Sequence, residues 1–216
     1  MAGFIVAGFY TGDYAKWLPA LTASLDAHGA PHDFIQIDKI PGSSWEANTL
    51  RKAGEVLEAM GRHPASVIVF LDVDAVIRGD LAPLADIAGD IAFYVTARRR
   101  RNGAVKFRVR SGTLVIRPTT AARRFVEAWA EISRTAAYGD VDQVALMLAI
   151  GRVPGVSFTP LDIRYCATAG DRVADPVILH DQASRDTPKV GPWQRLVRGL
   201  LGRWRSRGSI GAPCAN

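Results

Sequence analysis

Two aspartates, Asp72 and Asp74, close the segment Val67-Ile-Val-Phe-Leu-Asp-Val-Asp74. The five apolar residues before them, mostly β-branched, predict a strand over 67–71 buried on both faces. Side chains two apart on an extended chain point the same way, so both carboxylates are expected to leave the carboxyl end of that strand together. Open α/β sheets bind their ligands at that end. Adjacent carboxylates repel unless a cation sits between them or one takes up a proton. Their hard oxygens suit Mg²⁺ or Mn²⁺, ions that commonly hold a phosphorylated substrate. The plainer alternative is a turn capped by Asp74 ahead of Ala75-Val-Ile77.

Three other groups could take part. His180 ends the apolar stretch Val177-Ile-Leu; it fits either a neutral imidazole ligand beside the two aspartates or a structural histidine. Asp140-Val-Asp142-Gln143 opens a helical pattern. A capping box with Asp140 at the N-cap and Gln143 reaching back accounts for two of these residues. Asp142 is then a favourable first-turn acid, or else Asp142 and Gln143 face a substrate. Arg98–Arg101, with Lys106, Arg108 and Arg110, is a dense basic segment. It is either a solvated loop or a wall for a diphosphate or a phosphorylated acceptor, whose oxygens match the guanidinium fork. No interleaved aromatics and no nucleic-acid motif accompany it, which argues against nucleic acid as a partner.

The elements that must position these groups alternate. Residues 3–9 read as a strand ending in a turn at Tyr10-Thr11-Gly12-Asp13. Residues 14–28 have helical spacing with Gly29 as a stop, 33–38 alternate as a strand, and 46–61 form a helix with Leu50, Leu57 and Met60 inward. With the 67–71 strand this β-α-β-α-β order predicts a parallel sheet with right-handed crossovers. A short helix is expected over 83–88, strands over 91–96 and 112–117, helices over 119–135 and 141–150, and short strands over 155–159 and 176–180. The fold class is therefore α/β: one Rossmann-like domain with a mixed, mostly parallel sheet flanked by helices.

Composition agrees. The chain has 216 residues, 48% of them hydrophobic and 22% charged, enough for one domain with a full core. The formal net charge of +6 favours anionic partners. The two cysteines, Cys166 and Cys214, have no zinc or disulfide spacing. No basic leader precedes the first apolar stretch, and no run approaches the length of a membrane span. The cytoplasm is the expected compartment. From about residue 184 Pro, Gly and Arg rise, and no acid follows Asp186. We therefore divide the chain into a domain, 1–185, and a basic tail, 186–216.

In order along the chain, these segments resemble the GT-A type nucleotide-diphospho-sugar transferases, in particular the retaining enzymes related to glycogenin and the bacterial lipopolysaccharide galactosyltransferases. Gly8-Phe-Tyr-Thr-Gly-Asp-Tyr14 resembles the opening that cradles the nucleotide, and Asn48 to Lys52 the helix before the Asp-x-Asp strand. Phe70-Leu-Asp72-Val-Asp74 resembles the Asp-x-Asp motif itself. Ser111-Gly-Thr-Leu-Val resembles the family's Asn-Ser-Gly strand, with Arg110 where Asn is usual. Asp142-Gln143 resembles the Asp-Gln pair near the acceptor. His180 with Lys189-Val-Gly-Pro-Trp193 resembles the closing His…Lys-Pro-Trp signature, loosened by two inserted residues. The resemblance implies a metal site of Asp72, Asp74 and His180 for Mn²⁺ or Mg²⁺, acting as a Lewis acid on the leaving diphosphate. It implies donor binding by Tyr10, Thr11, Asn48, Lys52, Asp72, Ser111, Gly112 and Lys189, and catalytic roles for Asp142 and Gln143. The expected reaction moves a sugar from a UDP- or similar donor to a glycan or lipid-linked acceptor, with retention, in polysaccharide biosynthesis.

Two rival functions share the motif. A haloacid-dehalogenase-type phosphatase or phosphotransferase would use Asp72 as a nucleophile, although its motif normally opens the fold. A non-catalytic sugar-nucleotide-binding domain would keep the site without turnover. In the tail, Trp193, Leu196, Val197, Leu200, Leu201 and Trp204 make one face of a helix over 193–205, with Arg195, Arg198, Arg203 and Arg205 opposite and Arg207 beyond. Such a segment either lies on an anionic membrane, at the inner face of the cytoplasmic membrane, or docks on the domain.

Overall fold

A computed structural model describes residues 3–137 and 140–180. Two β-α units open the chain. Strand β1 (Phe4–Tyr10) leads through a 3₁₀ turn (Gly12–Trp17) into helix α1 (Leu18–Ala27), and β2 (His32–Gln36) leads into α2 (Trp45–Thr49) and α3 (Lys52–Arg62). Strand β3 (Val67–Leu71) follows, with every residue buried. After it come β4 (Ala75–Ile77), β5 (Ile91–Arg99), β6 (Val105–Ile116), α4 (Thr120–Arg134) and α5 (Asp142–Ile150). Three short strands, β7 (Phe158–Pro160), β8 (Ala167–Thr168) and β9 (Ile178–His180), complete the described chain.

The main sheet has six strands in the order β2-β1-β3-β6-β5-β7. Only β6 runs against the others, so the sheet is mixed and mostly parallel, as the alternating pattern predicts. Buried β3 sends alternate side chains to opposite layers. Ile68 and Phe70 pack with Ala53, Phe125 and Trp129 of α3 and α4, and Val67, Val69 and Leu71 pack with Leu21 and Leu25 of α1. Each such large apolar side chain contributes roughly 1.5–3 kcal/mol on leaving water. Gly8 in β1 is fixed by crowding: a Cβ there would lie 2.5 Å from the Phe34 ring and 2.6 Å from the Leu71 carbonyl oxygen.

A second sheet, β4-β9-β8, carries one half of the site. β4 and β9 are antiparallel, with Ala75 opposite His180. That register brings His180, 106 positions after Asp74, to the end of the Asp-x-Asp turn.

The elements differ from expectation at definite points. The helix expected over 14–28 begins only at Leu18, with Pro19 in its first turn, where the missing N–H costs nothing. The helix expected over 46–61 is broken at Leu50-Arg51, where Arg51 N–H bonds the Asn48 carbonyl in a tight turn. The break changes the inward face of α3 to Lys52, Ala53, Val56, Ala59 and Met60. The short helix at 83–88 is a 3₁₀ turn, Ala82–Asp86. Most of the basic segment is strand: β5 and β6 continue through it as a hairpin, with Arg100 and Arg101 in the connection that turns at Asn102-Gly103, Gly103 having φ +82.

Candidate functional site

Asp72 and Asp74 lie on a tight turn, since the Ala75 N–H bonds the Asp72 carbonyl at 3.1 Å. The extended exit expected for them is thus replaced by the turn, and β4 restarts directly after it. The turn nevertheless delivers both carboxylates to one place. One ligand atom each from Asp72, Asp74 and His180 lie within 4.8 Å of one another. Two carboxylates and an imidazole are a donor set that fits Mn²⁺ or Mg²⁺.

His180 is buried and held on three sides. Its Nε2 is 2.9 Å from Thr113 Oγ1, and its Nδ1 is 3.6 Å from Asp74 Oδ1. A Cβ on Gly112 would come within 3.0 Å of the ring, so glycine makes room for the imidazole. Thr113 thereby aims Nδ1 at the carboxylates, as outer partners of ligating histidines do. Burial disfavours charge on the ring, yet Asp74, then Cys166 and Asp72, outweigh it and raise its pKa from the ordinary value to about 10. A cation bound by the same groups would take the place of that proton.

Lys52 is the second pivot. Its side chain is 5% exposed. Its ammonium donates to the Ser111 carbonyl at 3.1 Å and forms an ion pair with Asp72 Oδ1 at 2.6 Å. It also lies 2.9 Å from Asp142 Oδ2, an ion pair outside hydrogen-bond angles. Burial would lower its pKa, but Asp142 and Asp72 prevail and hold it above the ordinary value. Asp72 keeps one edge open to the cleft. The surrounding protein raises its pKa, Lys52 opposes this, and Asp74 adds to it.

Ser111, Gly112 and Thr113 all come from an irregularity in the β5–β6 ladder. Phe93 pairs with Leu114, but Tyr94 pairs with Arg110, so three residues of β6 bulge out together. Bulges re-aim side chains beside active sites. Here the bulge gives Ser111 to Lys52, Gly112 to the imidazole cradle and Thr113 to His180.

Beside the acids a cleft of about 210 Å³ is lined by Tyr10, Thr11, Tyr14, Trp45, Asn48 and Lys52, among others. The Thr11 hydroxyl bonds Asp13. Asn48 Nδ2 donates to Ser43 Oγ at 2.8 Å and the Ser44 carbonyl at 3.0 Å. That leaves Asn48 Oδ1 buried without a partner among the described residues.

The capping box at 140–143 does not form. Val141 is the N-cap, and Asp140 instead accepts from the Ala137 N–H at 3.1 Å. Asp142 is freed from capping but turned inward to Lys52, at 4% exposure. Exposed Gln143 reaches the cleft, between the aromatic part and the acids. The structure therefore brings together Tyr10, Thr11, Asn48, Lys52, Asp72, Asp74, Ser111, Gly112, Asp142, Gln143 and His180. Lys189 and the tail helix lie outside the described residues.

Sequence reasoning missed Thr113 and the partner of Arg110. The Arg110 guanidinium holds both oxygens of Asp171, which it keeps well below the usual carboxylate range. It also donates to the Cys166 carbonyl at 3.0 Å and stacks over Tyr94. Asp171 closes a capping box with Thr168, and Thr168-Ala-Gly-Asp171 carries that signal in the sequence.

No protein-family model and no curated protein sequence matches the chain. Solved structures do. A glycosyltransferase involved in glycosylation of the major capsid of PBCV-1 aligns with a TM-score of 0.63 at 13% identity, covering 85% of this chain and 95% of that one. The apo-form glycosyltransferase GlyE of Streptococcus pneumoniae TIGR4 aligns with a TM-score of 0.57 at 16% identity, covering 96% of this chain and 64% of its own. The galactosyltransferase LgtC, in complex with donor and acceptor sugar analogs, aligns with a TM-score of 0.51 at 15% identity, over 94% and 100%. The fold is that of the GT-A glycosyltransferases. The phosphatase alternative is not favoured: two β-α units precede Asp72, and the would-be nucleophile is tied to Lys52.

Proposed function

We propose that the chain transfers a sugar from a nucleotide-diphosphate donor, a UDP-sugar by preference, to a glycan or lipid-linked acceptor. The observation that carries this is the Asp72–Asp74–His180 cluster at the carboxyl end of β3, opening onto an aromatic cleft in a GT-A fold. Tyr10, Tyr14 and Trp45 offer apolar faces to a base and ribose. A Mg²⁺ or Mn²⁺ bound by Asp72, Asp74 and His180 would supply charge to the departing diphosphate. Lys52 sets the geometry by holding Asp72, Asp142 and the Ser111 carbonyl in one cluster. Gln143 stands where the sugar and acceptor would meet.

Retention is part of the proposal. The carboxylates lining the clefts around the cluster, among the described residues, are Asp72, Asp74, Asp142 and Asp171. Each is engaged by Lys52, His180 or Arg110, which leaves none of them free as a base for an inverting route.

Among the described residues no helix is long and apolar enough to cross a membrane. We assign contact with an anionic membrane to 193–207, which co-sedimentation of the full chain against one ending at Pro192 tests. The reaction is tested by thermal shift with nucleotide sugars and Mn²⁺, then by turnover of any that bind. A ligand at 100 times its Kd adds about 2.7 kcal/mol. Binding without turnover would favour the sugar-nucleotide-binding module, and no binding would remove the proposal.

A further inference from the structure

The β5–β6 hairpin has two unlike faces. Directly opposed residues of an antiparallel pair share a face. Val95/Val109, Ala97/Phe107 and Arg99/Val105 make one face, and Tyr94/Arg110, Thr96/Arg108 and Arg98/Lys106 the other. The second face is a ladder of cations whose rungs repeat at about 7 Å, two residues of strand. Arg110 at its inner end is spent on Asp171. Arg98, Lys106 and Arg108 are exposed and form no ion pair among the described residues.

This face lines a groove of about 810 Å³. Thr96, Arg108 and Arg110 belong both to that groove and to the cleft that holds Asp72, Asp74 and His180. On the other side, Asp72, Asp74 and Gln143 are shared with the aromatic cleft. One continuous channel therefore runs from the aromatic cleft, past the acid cluster, along the cation ladder. If the donor occupies the aromatic end, the ladder is what the acceptor meets.

We propose that the acceptor is an acidic glycan whose phosphate or carboxylate groups lie along Arg98, Lys106 and Arg108. This rests on the transferase reading above and names its substrate class. Guanidinium forks bind both oxyanions in paired contacts. The cations line a concave groove next to the acid cluster, which an extended chain can enter and a flat bilayer cannot. The exposed apolar residues of the hairpin, Val105 and Phe107, are on the opposite face.

The test measures binding of fluorescent pentasaccharides to the full chain: a phosphorylated mannopentaose, a pentagalacturonate and neutral mannopentaose. The variants are R98E/K106E and, as an equal charge change elsewhere, R123E/R124E on exposed positions of α4. UDP binding with Mn²⁺ is measured on the same samples. Wild type is expected to bind at least one acidic sugar and not the neutral one, and which acidic sugar binds identifies the anion. The hairpin variant should lose about tenfold in affinity while UDP binding and the α4 variant stay at wild type. Equal weakening by both variants would mean diffuse charge attraction and would overturn the proposal. So would equal binding of neutral and acidic sugars, or binding to phosphatidylglycerol vesicles but to no pentasaccharide. If wild type fails to bind UDP, the donor reading fails, whereas the ladder's preference for acidic sugars is read independently of it.

Discussion

Strand β6 passes through two environments within twelve residues. Its inner part, Ser111 to Ile116, is almost wholly buried, and its polar groups are committed: Ser111 to Lys52 and Thr113 to His180. Its outer part, Val105 to Arg108, is exposed, and its cations have no acid opposite them among the described residues. The inner end supports a buried cluster in which Asp72, Asp74 and Asp142 are held by Lys52 and His180. The outer end is a set of charges left for something outside the protein to balance. That difference separates chemistry from acceptor capture, and it orders what substitutions should do.

The largest effect is expected at the inner pivot. Lys52→Met would strand Asp72 and Asp142 without their cation, and losing one member of a buried charge cluster costs about 3–5 kcal/mol. Denaturant unfolding should show that loss near neutral pH. A variant as stable as wild type would mean that the Lys52 cluster adds nothing to the fold.

Thr113→Val keeps the shape and removes the oxygen that orients His180. It should weaken Mn²⁺-dependent UDP binding about tenfold, the smaller end of the range for outer partners of metal ligands, with little change in melting. Unchanged binding would show that the cradle of Gly112 alone fixes the ring.

A smaller effect, about 1–2 kcal/mol, is expected from Asp171→Asn, which breaks the charged pair at the junction of the two regions. Asp171 has a depressed pKa in the fold. Its contribution is therefore fully present above the unfolded value of about 4 and lost as pH falls through the folded one. Wild type and variant should differ in melting temperature near neutral pH and converge in acid. A constant difference would assign the loss to packing.

The same contrast explains what was legible in the sequence. β3 and its aspartates could be read because a wholly buried strand has one composition along its length. His180 could be read from Ile178-Leu179 before it, although its neighbour Asp74 is fixed only by the register of β4 with β9. Lys52 could be listed as a donor contact but not as a buried pivot, because Asp72 and Asp142 reach it from distant positions and the break at Leu50-Arg51 turned it inward. The outer hairpin was hidden because exposed, charged strand residues look like loop. Asn102-Gly103 between them was the turn signal that identifies it. Asp140 misled because capping chemistry one residue too early satisfies the same pattern.

The account rests on the acid cluster holding a metal for a nucleotide diphosphate, and isothermal titration of UDP into wild type and Asp74→Asn addresses it most directly. Asp74 holds His180 and contributes one of three ligand atoms. Wild type should bind UDP on the order of tenfold or more tightly with Mn²⁺ than without, and Asp74→Asn should bind it equally in both conditions with its fold intact. Mn²⁺-dependent UDP binding by Asp74→Asn at the wild-type affinity would contradict it.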